Sequence, residues 1–244
     1  MLLKLKNLIR INQDDLKLFA GVLGVVFLLV HVVTAFAVKF SGEGSSLLLS
    51  GAILPFVAAL LVLITTAGHV YTTYLHGVRM GQTRKGSMAL MGGIALFEGA
   101  FAMIFSAALN ALERALAPTF WMWLAGAERV AIGRESMVVY PEGYVRGDTS
   151  LLAIEDFSLA WHWWLLLLLG GMVLGLIIGA VVDRFGSKGA TFLWIFYFAL
   201  IFGQNLLPWK THEVTNILFP ALAIAAAAGF IWSIHSLLRT TIRS

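Results

Sequence analysis

The chain has 244 residues, 59% hydrophobic and 12% charged, with a mean hydropathy of +0.87 and a formal net charge of +4. Soluble domains carry about 25% charged residues, so roughly half of the usual polar surface is missing and a water-soluble fold is excluded. There is no cysteine, which excludes disulfides, thiolate metal sites and thiol nucleophiles, and the basic excess reads as membrane orientation charge rather than as affinity for nucleic acid.

Residues 1–17 set Leu2, Leu3, Leu5, Leu8, Ile9 and Leu16 among Lys4, Lys6, Arg10 and Lys17. This pattern predicts a basic amphipathic helix lying in the cytoplasmic interface. No small-residue cleavage site follows a short apolar core, so the segment reads as retained rather than as a signal peptide. Asn12, Asp14 and Asp15 then break it and start the first span.

Six windows are long enough to cross roughly 30 Å of hydrocarbon. They fall near Leu18–Val38, Ile53–Tyr74, Ser87–Ala108, Ala160–Val182, Ala190–Leu206 and Asn216–Leu237. With the N-terminus inside, the cytoplasmic side receives Lys4, Lys6, Arg10, Lys17, Arg79, Arg84, Lys85, Arg184, Lys188, Arg239 and Arg243. The outside receives Lys39, Arg114, Arg129, Arg134, Arg146 and Lys210. Lysine and arginine bias sets topology, and both ends are therefore expected in the cytoplasm.

The first internal loop, His76–Met88 (HGVRMGQTRKGSM), is basic, free of acids and punctuated by Gly77, Gly81 and Gly86. It reads as a tight cytoplasmic elbow between the second and third spans. Leu109–Leu159 is too long for an ordinary loop and needs structure of its own. A short helix over Leu109–Leu116 is expected to end at Pro118, with Trp121 and Trp123 at the headgroup level and MVVYPEGYV forming an extended or hairpin element. The turn DRFGSK (Asp183–Lys188) echoes the elbow, with Arg-x-Gly and then Lys-Gly in both. The expected organisation is thus an interfacial helix at 1–17, three spans at 18–108 with the elbow at 76–88, an external connection at 109–159, and three spans with a short cytoplasmic tail at 160–244. In class this is an all-α integral membrane protein with six transmembrane helices.

Several residues carry potential chemistry. Bis-histidine haem needs two imidazoles on facing helices at matching depth. His31 and His162 differ by roughly 9 Å in depth, His69 and His235 by about 5 Å, so only the second pair suits a b-type haem anchor. The alternative is that His76, His162, His212 and His235 sit at the interfaces while His31 and His69 hydrogen-bond within the bundle. Glu98 is the only acid inside an expected span, either a translocation contact or a hydrogen bond to another helix. Gln204 and Asn205 either line a cavity or cap the fifth span before Pro208. Gly171, Gly175 and Gly179 form a repeated small-residue face for close helix packing. No P-loop, H-E-x-x-H or G-x-S-x-G string occurs, so neither a catalytic nor a metal site is expected, and the chain reads as a non-enzyme.

An amphipathic N-terminal helix, six spans and the elbow YLHGVRMGQTRKGSMAL together resemble the small bacterial permease subunits of ABC-2-type transporters that lack a fused ATPase. Gly81-Gln82-Thr83-Arg84-Lys85 matches the elbow that leads into the third span of that family, and AVVDRFGSKGATFLWIF resembles its turn between the fourth and fifth spans. The resemblance implies a bacterial cytoplasmic-membrane exporter component. Its elbow residues Arg79, Met80, Gly81, Thr83, Arg84 and Lys85 would dock a separate ATP-binding cassette subunit. ATP and Mg would sit in that partner, and a second permease copy or paralogue would complete the pore. Family members place their external elaboration between the last two spans, whereas this chain has it between the third and fourth.

Overall fold

The computed structural model describes residues 12–41, 45–134, 150–203 and 212–239. In chain order they form α1 (Gln13–Ser41), β1 (Ser45–Leu48), α2 (Ser50–His69), a π-helical segment (Val70–Leu75), α3 (His76–Arg79), α4 (Arg84–Ala125), β2 (Arg129–Arg134), β3 (Leu151–Asp156), α5 (Trp161–Phe185), α6 (Ser187–Gly203) and α7 (His212–Arg239).

Five of these stretches are long and apolar enough to cross a membrane: Gln13–Phe40, Ser50–Arg79, Arg84–Ala125, Trp161–Phe185 and Pro220–Arg239. The chain is a multi-pass, mostly helical membrane protein. Helix dominates because a backbone in hydrocarbon must satisfy its own polar groups, so even valine-rich runs such as Val25-Val26 and Val32-Val33 wind helically. The expected fifth span corresponds to α6, which has 17 residues, about 25 Å of helix at the standard rise. Residues 204–206 of that window, most of the interfacial segment 1–17, and MVVYPEGYV lie outside the described residues.

The chain divides into two compact units, Met1–Ala59 with Glu98–Leu168, and Leu60–Phe97 with Leu169–Ser244. In the first unit, α1 opens with Asp14 and Asp15 in its first turn and ends with Lys39 in its last, matching the helix dipole at both ends. Its Leu28, Leu29, Val33 and Phe36 are exposed, as a lipid-facing surface requires.

Two features of this unit differ from the sequence expectation. First, α4 does not stop before Pro118; it runs for 42 residues to Ala125, about 63 Å or twice the hydrocarbon thickness. Pro118 deprives the Arg114 carbonyl of its helical donor, yet the apolar side chains around it hold the helix together, with Ala117 and Trp121 buried in one core. Second, an all-helical chain is amended by a three-stranded parallel sheet in the order β1-β3-β2. Central β3 pairs Ala153 with Ser45 on one side and with Ala131 on the other. Leu48, Leu152 and Ile154 from the sheet join Val38, Ala117 and Trp121 in that buried core.

The junction of sheet and α2 is set by Pro55 and Gly51. Pro55 has no N–H to give the Gly51 carbonyl four residues earlier. The Leu159 amide donates to that carbonyl instead at 3.1 Å, and the Phe157 amide donates to Leu48 O at 3.1 Å. A Cβ on Gly51 would lie 2.1 Å from Ser158 Oγ, so only glycine admits the segment that follows β3.

In the second unit, α5 meets the later part of α2 and the π segment through its glycines. A Cβ on Gly175 would lie 2.5 Å from Leu63 O, and one on Gly179 would lie 2.5 Å from Val70 Cγ2. Gly171 is buried on the same helix. Val70, Tyr74, Met91, Leu176, Ala180 and Leu237 form the core of this unit. The corner between α5 and α6 turns on Gly186 at φ +58°, with the Gly186 amide donating to Val182 O at 2.8 Å.

Candidate functional site

The elbow is a continuous hydrogen-bonded corner. The Gln82 amide donates to Gly77 O at 3.0 Å and the Gly81 amide donates to Val78 O at 3.1 Å, a complete Schellman closure of the incoming helix. Gly81 takes φ +86°, the left-handed conformation this closure requires. The next helix starts at once: Thr83 Oγ1 accepts from the Gly86 amide at 3.1 Å as its N-cap, and Thr83 O accepts from the Ser87 amide. Ser87 Oγ donates to Gln82 Oε1 at 3.2 Å, across a gap that Gly77 keeps open because a Cβ there would sit 2.7 Å from Ser87 Oγ. The sequence motif Arg-x-Gly thus has the same backbone basis in both turns, since Gly81 and Gly186 are each left-handed.

Arg79, Met80, Gly81, Gln82, Thr83 and Lys85 are exposed on this corner, Met80 to 73%. Arg84 is not part of that open face. It is half-buried, and its guanidinium donates to Leu238 O at 2.8 Å. The hydroxyl of buried Tyr74 donates to the neighbouring Leu237 O. Two residues that flank the corner therefore grip the last turn of α7, where helical carbonyls lack intrahelical donors. Nearby, Arg184 donates to Ser236 Oγ at 3.2 Å and lies over the Trp232 ring at 5.7 Å.

Glu98 is fully buried within α4. His69 is buried and 3.4 Å from Thr73 Oγ1, whereas His235 is exposed. Gln204 and Asn205 lie outside the described residues.

His31 belongs to a polar cluster that sequence reasoning missed in its main member, Glu113. The Nδ1 of His31 donates to Phe27 O at 2.8 Å, and its Nε2 lies 3.6 Å from Glu113 Oε1. Glu113 Oε2 accepts from the Ser50 amide at 3.0 Å, at the N-terminus of α2. The Trp121 indole stacks on His31 with centroids 5.9 Å apart. A cavity of about 560 Å³ opens beside the pair, lined by Phe27, Leu116, Phe120 and Trp123 among others. Next to Glu113 in the chain, Arg114 pairs with Asp156 at 2.7 Å.

No family model, curated protein or solved structure matches the chain.

Proposed function

We propose that the protein is the membrane-spanning permease subunit of a bacterial ABC exporter, driven by a separate ATP-binding cassette subunit that docks on the 76–88 elbow. In this reading the membrane is the bacterial cytoplasmic membrane, α6 is the fifth of six spans, and both termini are cytoplasmic. A second copy or paralogue completes the translocation path, and ATP and Mg stay in the partner.

One observation carries the reading. The elbow is rigidly closed by its own hydrogen bonds, presents Arg79, Met80 and Lys85 outward, and holds the end of α7 through Tyr74 and Arg84. A push on such a corner moves the helices on either side of it and draws the last helix with them. The sequence contains no P-loop, so an ABC system built on this chain needs an external motor. The Lys and Arg bias of the loops supports the orientation, because it sets the elbow on the cytoplasmic side where ATP is available.

The test is coupled ATPase activity in reconstituted membranes. Lys85→Glu reverses an exposed charge whose side chain makes no bond among the described residues, and it should abolish stimulation of the partner ATPase while the protein still inserts. Gly81→Pro cannot adopt φ +86°, and Arg84→Glu sets an acid against Leu238 O, so both should uncouple as well. Normal coupled activity in all three variants overturns the docking assignment.

A further inference from the structure

The cavity beside His31 and Glu113 has a composition that selects a ligand class. Its volume of about 560 Å³ lies within the range of small-molecule sites, roughly 300–1,000 Å³. Its walls are apolar and aromatic, and Glu113, whose side chain is 1% exposed, is the acid that lines it.

The proton count of the pair follows from its hydrogen bonds. A carbonyl only accepts, so the His31 Nδ1 facing Phe27 O carries hydrogen. A ring with no second proton would face Glu113 Oε1 with its Nε2 lone pair, 3.6 Å away. Against an ionised carboxylate that contact is repulsive. It becomes favourable when one proton resides on Nε2 or on the carboxyl, which also relieves the cost of an uncompensated charge in an apolar wall. The Ser50 amide at the start of α2 supports the anion but adds no full charge. Arg114, next to Glu113 on α4, pairs with Asp156 on β3 at 2.7 Å, so its charge is already matched. The cluster therefore takes one positive charge.

We propose that this cavity binds organic cations with a bulky apolar body, of the arylphosphonium or alkylammonium class, whose charge replaces the proton held by His31 and Glu113. The rings of Phe27, Phe120 and Trp123 supply faces that attract such a cation, and the apolar walls take up its substituents. Trp123 is 75% exposed, so it forms an accessible rim, while Trp121 is fully buried and fixes His31 from behind. Binding is an exchange: one ligand cation enters and one proton leaves to solvent. Affinity must then fall as pH falls. This site does not depend on the ATPase reading, because it requires neither the elbow nor a partner chain.

The experiment uses the full chain in detergent micelles with tetraphenylphosphonium as probe, with protein-free micelles subtracted. Saturable binding of one equivalent is expected, with release of about one proton in weak buffer and affinity falling by about tenfold per pH unit on the acid side. Tetraphenylborate, of the same shape and opposite charge, should not compete. Glu113→Gln keeps an acceptor for the Ser50 amide and should weaken tetraphenylphosphonium by at least about tenfold, a loss typical of a buried charge partner. Trp123→Ala, at an exposed rim, should weaken it by about threefold without altering the thermal melt. Equal binding of tetraphenylborate, absence of proton release, or unchanged affinity in both variants overturns the proposal. A Glu113→Gln protein that fails to fold leaves the Trp123→Ala, proton-release and borate results to decide.

Discussion

At Gly51 the first turn of α2 and the segment after β3 pass so closely that no side chain fits between them. A Cβ there meets Ser158 Oγ at 2.1 Å, Ser158 Cβ at 2.5 Å and Asn110 Oδ1 at 2.8 Å. Gly51→Ala should therefore cost about 1–3 kcal/mol through overpacking, read as a lower melting temperature in micelles. An unchanged melt would show that the Ser158 segment is free to move aside. At this scale the sequence reveals types better than partners. His31 stands out as a histidine in an apolar run, but its partner Glu113 sits 82 positions away in a stretch that reads as an external connection. The available signal was helical: Leu112, Leu116 and Ala117 surround Glu113 at the spacing of one continuing helix face, and Pro118 conceals that continuity. Arg84, conversely, looks like an open docking charge, and its anchorage to Leu238 O depends on a residue 154 positions later.

Elements built on long apolar runs were legible because hydrocarbon leaves the backbone one local solution. All six expected windows overlap observed helices, although five of the helical stretches have the length of a span among the described residues. The sheet was not legible. β1 is four residues, SSLL, too short to show an alternating period, and its partner β3 lies about a hundred residues on. Such pairing is decided by burial of Leu48, Leu152 and Ile154 against α4, which no local pattern encodes. The elbow and α7 are joined at the same scale. Tyr74→Phe removes the hydroxyl that donates to Leu237 O and should destabilise the fold by about 1 kcal/mol. Hydrogen exchange should quicken in the last turn of α7 and leave α1 unaffected. Equal protection in the variant would show that the Tyr74 contact does not restrain α7.

For the whole molecule, the strongest expectation is its direction in the membrane. The absence of cysteine permits single-cysteine labelling on an otherwise unaltered chain. Lys85 in the elbow and Lys188 in the second turn are exposed, as is Glu128 beyond the end of α4. With a membrane-impermeant maleimide, Glu128→Cys should label in intact cells, whereas Lys85→Cys and Lys188→Cys should label after the membrane is opened. Labelling of Lys85→Cys in intact cells would reverse the topology and remove the elbow from reach of any cytoplasmic motor. Composition made the membrane class legible from the start, since a chain with 12% charged residues cannot cover a soluble surface. The proposed function starts from a resemblance carried by one loop. Its force now rests on how that loop is built: a Schellman closure at Gly81, an N-cap at Thr83, and a grip on α7.

The central claim is that this corner is where an ATPase pulls, and site-specific crosslinking from Lys85 tests it most directly. A photoreactive residue at position 85 in native membranes should crosslink to a single P-loop ATPase, identified by mass spectrometry, and the adduct should diminish when Arg79 is changed to Glu. Crosslinks confined to lipid, or to proteins without a P-loop, from a correctly inserted chain would contradict the account.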